Sequence, residues 1–186
     1  MFQIRWDGVP AQCARPSDEE LDKYLSDALQ RSFGGLKIGN IDDMKNSSID
    51  GLRQQMKRLI VLKNVDSYST YDDKANATLT GESIIQQFEK LSSNNQAGRA
   101  FTNLQCQATA TNLPKVVAYS SLTANVSNSC LLATKSICDN KTMPWIKNNA
   151  LNKLDAQQLI VIMDDFLDGG MCDLARDLTI SRLSRN

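Results

Sequence analysis

The run Leu159-Ile160-Val161-Ile162-Met163, closed by Asp164-Asp165-Phe166 and then Gly169-Gly170, decides how this 186-residue chain is read. An apolar run this short, with a β-branched centre, is too brief for a helix and too uniform for a strand with one wet face. It predicts a strand covered on both sides, as in a parallel sheet. Leu59-Ile60-Val61-Leu62 is a second such run, introduced by Lys57-Arg58 and ended at Lys63-Asn64. A third segment alternates, with Leu104, Cys106, Ala108 and Ala110 on one side and Gln105, Gln107, Thr109 and Thr111 on the other. That pattern gives one packed face and one polar face.

Helical patterns lie around these strands. Ser17-Asp18-Glu19-Glu20 behind Pro16 is a capping box, followed by Leu21, Tyr24, Leu25, Ala28 and Leu29 at helical spacing and stopped at Gly34-Gly35. Ile49, Leu52 and Met56 predict a short helix. Residues 65 to 79 read as a polar loop, after which Thr80 caps a helix that turns Ile84, Ile85, Phe88 and Leu91 inward and ends near Asn94-Asn95. Residues 116 to 149 read as helix and loop, with Pro144-Trp145 opening a last turn or two before Leu154. The final helix packs through Met171, Leu174, Ala175 and Leu178. Strands alternating with helices, over connections too long for hairpins, define the α/β class. With Phe2 to Trp6 as an opening strand the chain has four strands at most. The expectation is therefore one domain over residues 1–186, a partial TIM-barrel-like (β/α) fold that cannot close a barrel alone.

Composition excludes several functions. Lys and Arg number 21 against 21 Asp and Glu, for a net charge of +0, and the basic residues are scattered singly. A nucleic-acid binder that works by neutralising phosphates is thereby set aside. Hydrophobic residues at 41% and charged residues at 23% place the chain among globular proteins that bury a core. No apolar run approaches the roughly 18 residues of a membrane span. The opening Met1-Phe2-Gln3-Ile4-Arg5-Trp6-Asp7 lacks the basic and apolar regions of a signal peptide, so the chain is expected to stay inside or to begin partway through a longer protein.

Histidine is absent altogether. Ser-His-Asp triads, Cys-His dyads and His-containing zinc sites are thus excluded within these residues, and chemistry must rest on carboxylates, Lys, Tyr or Cys. The cysteines Cys13, Cys106, Cys130, Cys138 and Cys172 form no Cys-x-x-Cys pair. Cys130 and Cys138 are candidates for a bridge in an oxidising compartment, and buried small hydrophobes otherwise. Sequons at Asn46, Asn76, Asn125 and Asn140 hint at a secreted parent. The compartment itself is not fixed by the sequence.

In parallel α/β proteins functional groups gather where strands end, because those ends and the loops after them line the open mouth. That rule selects Lys63, Asn64 and Asp66, then Thr109 and Thr111, then Asp164, Asp165 and Asp168. The acidic trio has three readings: oxygen ligands for Mg²⁺ or Ca²⁺, carboxylates that orient a general base, or a solvated loop in which Asp168 caps the last helix. Gly169-Gly170 is either a backbone approach to an anion or a plain turn. Lys63 can pair with a phosphate as a point charge.

Taken in order, several segments from about Leu29 to the end carry a family resemblance. They are Lys57-Arg58-Leu59-Ile60-Val61-Leu62-Lys63 behind a short helix, Asn103-Leu104-Gln105-Cys106-Gln107-Ala108-Thr109, Leu131-Leu132-Ala133-Thr134-Lys135, and Val161-Ile162-Met163-Asp164-Asp165-Phe166 before a closing helix. Together they resemble the carboxyl-terminal half of phosphatidylinositol-specific phospholipase C-like phosphodiesterases. The resemblance implies a distorted TIM barrel that cleaves a phosphodiester by attack of the inositol 2-hydroxyl, with a pair of histidines from the amino-terminal half as general base and general acid. It also implies that Asp165 is the late-strand carboxylate that orients the general-base histidine, with Asp164 as the alternative register. Lys63 and Asp66 then face the substrate; Asn64 stands near the position of a substrate-contacting Arg in some members, and Lys63 alone supplies positive charge there. The expected partner is the phosphodiester or phospholipid head group of a complete parent. No cofactor is expected, Mg or Ca at Asp164, Asp165 and Asp168 being the alternative. The expected function is that of a phosphoric diester hydrolase family member, truncated and inactive alone because the histidines are missing. Exposed sheet edges are expected to favour an oligomer. The competing expectation is a non-catalytic binding or interaction module on the same fold.

Overall fold

The computed structural model describes residues 2–3, 10–33, 36–63, 65–109, 114–115, 118, 130–155 and 158–184. The chain divides into two compact units, Met1–Val65 and Asp66–Asn186. Both units combine parallel strands with helices, so the class is α/β. Among the described residues each sheet is open and three-stranded, and no barrel closes.

In the first unit the capping box forms as its sequence predicts. Ser17 N–H donates to Glu20 Oε2 at 2.7 Å and Glu20 N–H to Ser17 Oγ at 3.1 Å, which satisfies donors at the start of α1, Asp18–Phe33. Strands β1, Phe2–Gln3, β2, Lys37–Gly39, and β3, Lys57–Leu62, pair in parallel in the order β1-β3-β2. The central strand buries Ile60, Val61 and Leu62. Helices α2, Ile41–Asn46, and α3, Ile49–Gln54, cross between β2 and β3, capped by Asn40 and Ser48 respectively. Met56 is not on the inward stripe of α3. It lies beyond the helix end, with φ of 60° and its side chain exposed. The first strand is described only at Phe2 and Gln3; residues 4–6 of the expected opening strand lie outside the described residues.

The second unit holds β4, Ser67–Ser69, β5, Phe101–Gln105, and β6, Leu159–Met163, parallel in the order β4-β5-β6. Strand β6 has the bounds its apolar run predicts. Strand β5 begins earlier than expected and ends at Gln105, yet the alternation continues past it: Leu104, Cys106 and Ala108 all enter one buried cluster. Ala110 and Thr111 lie outside the described residues. The stretch read as a polar loop contains both β4 and a short helix α4, Asp73–Asn76. Helix α5, Glu82–Glu89, has Gly81 rather than Thr80 at its cap position, and Thr78 Oγ1 takes the N–H groups of Thr80 and Gly81, each at 3.1 Å. Gly81 has φ of +76°, and a Cβ there would stand 3.1 Å from the Cα of Cys138. Asn94 and Asn95 belong to a separate helix α6, Ser93–Gln96.

Helix α7, Cys130–Lys153, runs straight through Pro144 instead of beginning there, so the missing Pro N–H removes one bond from inside the helix. Eight residues of helix put Cys130 and Cys138 about 12 Å apart along the axis, beyond disulfide reach, and Cys138 is a buried free thiol. The final helix, α8, spans Gly169–Leu183 and buries Met171 and Leu174, with Leu178 partly buried. Ala175 stays exposed.

Packing between α5 and α7 anchors this unit. Phe88 and Trp145 stack with ring centroids 5.1 Å apart, the Trp145 indole N–H donates to Glu89 Oε1 at 2.5 Å, and Lys153 Nζ lies 2.9 Å from Glu89 Oε2. At the amino-terminal end of the strands lie two buried amides, Gln96, whose Nε2 donates to the Lys153 carbonyl at 2.9 Å, and Gln158. Gln158 Nε2 donates to the carbonyls of Gln96 and Arg99, both at 3.0 Å, while its Oε1 accepts from Thr102 Oγ1 at 2.6 Å. On its far side β6 fronts an apolar groove of about 470 Å³, lined by Leu154, Leu159, Ile160, Ile162, Met171 and Leu178 among others. Phe88 is fully buried, so Phe88→Ala is expected to lower unfolding stability by about 3 to 5 kcal/mol in urea titration. A loss below about 1 kcal/mol would show that the ring pair does not anchor the core.

Candidate functional site

Parallel pairing directs the strands of the second unit so that their carboxyl ends lie together, and polar groups collect there. Asp164 is the first residue past β6, and its side chain is only 1% exposed. Facing it is Lys135 on α7, with a side chain 4% exposed. The ammonium donates to Asp139, one helical turn further along α7, and to Asp168 Oδ2 at 3.1 Å; it lies 3.3 Å from Asp164 Oδ2. Asp168 has a second task, since its Oδ1 accepts the Met171 N–H at 3.0 Å and so caps α8. One cation therefore joins a helix, the end of a strand and the start of the next helix.

Electrostatics follow from this burial. Burial alone would lower the Lys135 ammonium, but the carboxylates of Asp139, Asp168 and Asp164 outweigh it and hold the lysine protonated, above its usual range. Asp164 moves the other way, up to about 6, first because it is buried and then because the Asp139 charge faces it; Lys135 opposes the shift. Asp168 is lowered by the Met171 N–H and by Lys135. The nearby thiols are inert: burial pushes Cys138 up to about 12 and raises Cys106 as well, and the charges of Asp164 and Asp139 add to both.

Beside this cluster runs a ladder of neutral amides and hydroxyls at the ends of β4 and β5. Gln107 Nε2 donates to Gln105 Oε1 at 2.5 Å, and Gln105 Nε2 to Ser69 Oγ at 3.2 Å. Asn76 Nδ2 donates to the Gln107 carbonyl at 2.8 Å, and the Thr109 N–H returns to the Asn76 carbonyl at 2.7 Å. Tyr71 Oη sits 3.2 Å from Thr109 Oγ1. Two buried oxygens of this ladder, Asn103 Oδ1 and Gln107 Oε1, have no hydrogen-bond partner among the described residues.

Of the sequence candidates, the structure brings Asp164 and Asp168 together on one ammonium. Asp165 is half-buried and adds its backbone N–H, which donates to Asp164 Oδ1 at 2.9 Å. Asp164, not Asp165, is the carboxylate turned inward. Among the described residues no group of three or more His, Cys, Asp or Glu side chains is arranged to hold a metal ion, and the place a Mg²⁺ or Ca²⁺ would take between Asp164 and Asp168 is filled by Lys135 Nζ. Lys63, in the first unit, pairs with Asp22 at 2.6 Å. Asp66 pairs with Arg99 and lies just before β4, at the amino-terminal end of its sheet, away from Asp164. Asn64 and Thr111 lie outside the described residues. Gly169 and Gly170 open the first turn of α8, where Asp168 takes the Met171 N–H.

Sequence reasoning missed Lys135, Asp139, Tyr71 and Asn76 as members of the strand-end constellation. The spacing of Lys135 and Asp139 was a signal of a helical ion pair, though nothing in it announced burial. Compared with protein-family models, curated proteins and solved structures, the chain gives no significant match.

Two outcomes follow. Lys135→Met leaves Asp139 and Asp164 as buried charges without a cation, and is expected to cost about 3 to 5 kcal/mol of stability by urea denaturation; a neutral result would mean that Lys135 does not hold the cluster together. Asp164 binds its proton more tightly in the folded chain than at its ordinary value of 3.8, so its contribution is favourable below 3.8 and is lost as pH rises through about 6. Asp164→Asn is therefore expected to gain stability relative to the parent as pH rises across that interval, and a pH-independent difference would refute the assignment.

Proposed function

We propose that this chain is a member of the phospholipase C-like phosphodiesterases and that its second unit supplies the strand-end carboxylate of a phosphodiester site. Asp164 carries the reading: it is a buried carboxyl, the first residue past a parallel strand, at one of the two registers the resemblance assigns to the orienting residue. The neutral ladder from Ser69 to Thr109 supports it too, because amide and hydroxyl groups at a strand end suit the hydroxyls of a polyol head group. The cluster around Lys135 is negative overall, so it fits hydroxyl donors or a cationic base better than phosphate itself. The partial-barrel architecture belongs to this proposal.

The chain carries no histidine, and the step in which paired histidines move the proton cannot be run by its own residues. That observation favours a second reading, a module that binds the head group without turning it over. Titration of the folded chain with glycerophosphoinositol, followed by amide shifts and by release of inositol phosphate, separates the readings. Shifts at residues 105–109 and 164–168 without product are expected and fit the binding role; shifts with product restore the hydrolase. No shift at either strand end would overturn both.

A further inference from the structure

We propose that Asp139 and Asp164 hold one proton between them, an acid–carboxylate pair at the carboxyl end of β6. The geometry begins with two buried oxygens, Asp139 Oδ1 and Asp164 Oδ2, that have no hydrogen-bond partner among the described residues. Both carboxyl groups meet on one ammonium, that of Lys135, which donates to Asp139 Oδ2 and lies 3.3 Å from Asp164 Oδ2. If both were ionised, each would bury an unsatisfied acceptor and each would repel the other. A single shared proton removes both costs, because one carboxyl then donates to its neighbour.

Among the described residues no hydrogen bond reaches either oxygen. Lys135 Nζ donates to the other Asp139 oxygen, Oδ2, and to Asp168 Oδ2, and approaches Asp164 Oδ2 only as an ion pair at 3.3 Å. Asp164 Oδ1 is occupied by the Asp165 N–H. The titratable groups facing the pair are Lys135 and Cys138 from α7, Cys106 beyond the end of β5, and Asp168 before α8. Both thiols are held protonated by burial, and Thr142 turns its hydroxyl to the Cys138 carbonyl at 3.1 Å. With the proton in place the cluster of Lys135, Asp139, Asp164 and Asp168 carries one net negative charge, and without it two.

The consequence is a proton donor near neutral pH at a strand end whose chain has no histidine. This inference concerns the state of the carboxyl pair and stands whether or not the phosphodiester reading does. The test is a carbon-13 titration of the aspartate carboxyl carbons in the full chain. In the parent the Asp164 signal is expected to move through a step near 6. In Asp139→Asn the Asp164 proton affinity is expected to fall by about tenfold or more, since the partner charge is gone. An Asp164 titration unchanged in that variant would assign the shift to burial alone and overturn the shared proton. Should Asp139→Asn fail to fold, the parent decides by itself: an Asp164 carboxyl that titrates at its ordinary value of 3.8 refutes the pair.

Discussion

The ammonium of Lys135 is withdrawn from water at the point where three pieces of backbone meet, and each piece answers it with a carboxylate. Asp139 comes from the same helix, Asp164 from the end of β6, and Asp168 from the cap of α8. A buried lysine without partners would be neutral or would unfold its surroundings. Here the partners are supplied by the chain direction itself: β6 must run parallel to β5 for Asp164 to arrive beside α7, and α8 must start where Asp168 can serve both the helix and the lysine. The cluster is thus a condition on topology as much as a site.

Around that condition the apolar core is conventional. Leu104, Cys106 and Ala108 from β5 and its extension meet Phe88 of α5 and Ile146 of α7 on one face of the sheet. The polar groups that the core cannot absorb are moved to the two ends of the strands, amides at both and a buried ammonium with its carboxylates at the carboxyl end. This division keeps the buried charge apart from the apolar cluster between the helices.

Much of the fold was legible in the sequence because it rests on local signals. The run from Leu159 to Met163 became a strand with those bounds, and the Ser17–Glu20 box opened α1. The failures are instructive in the same terms. Ser67-Tyr68-Ser69 has too few apolar residues to show a period and is a strand only because β5 offers it backbone partners. Pro144 looked like a helix start, yet burial of Trp145 and Ile146 in the core carries the helix through it. At the site, Asp164 and Asp165 were indistinguishable as neighbours in sequence, since which of two consecutive carboxyls turns inward depends on how the strand meets α7. Lys135 was hidden for a related reason: a lysine with an aspartate one turn later describes an exposed helix face equally well, and only the arrival of β6 buries it.

Asn76 shows how far the strand-end network constrains chemistry elsewhere on the chain. It is the acceptor residue of one sequon, and it is 1% exposed, with Nδ2 donating to the Gln107 carbonyl and Oδ1 accepting the Asp72 N–H. A glycan attached there would remove a donor that α4 uses to hold the chain beyond β5, and would need room that the packed side chain does not leave. Asn46 and Asn140 are exposed by contrast. Oligosaccharide addition and folding therefore compete at Asn76, and a chain sugared at that position could not close the ladder that runs from Ser69 to Thr109.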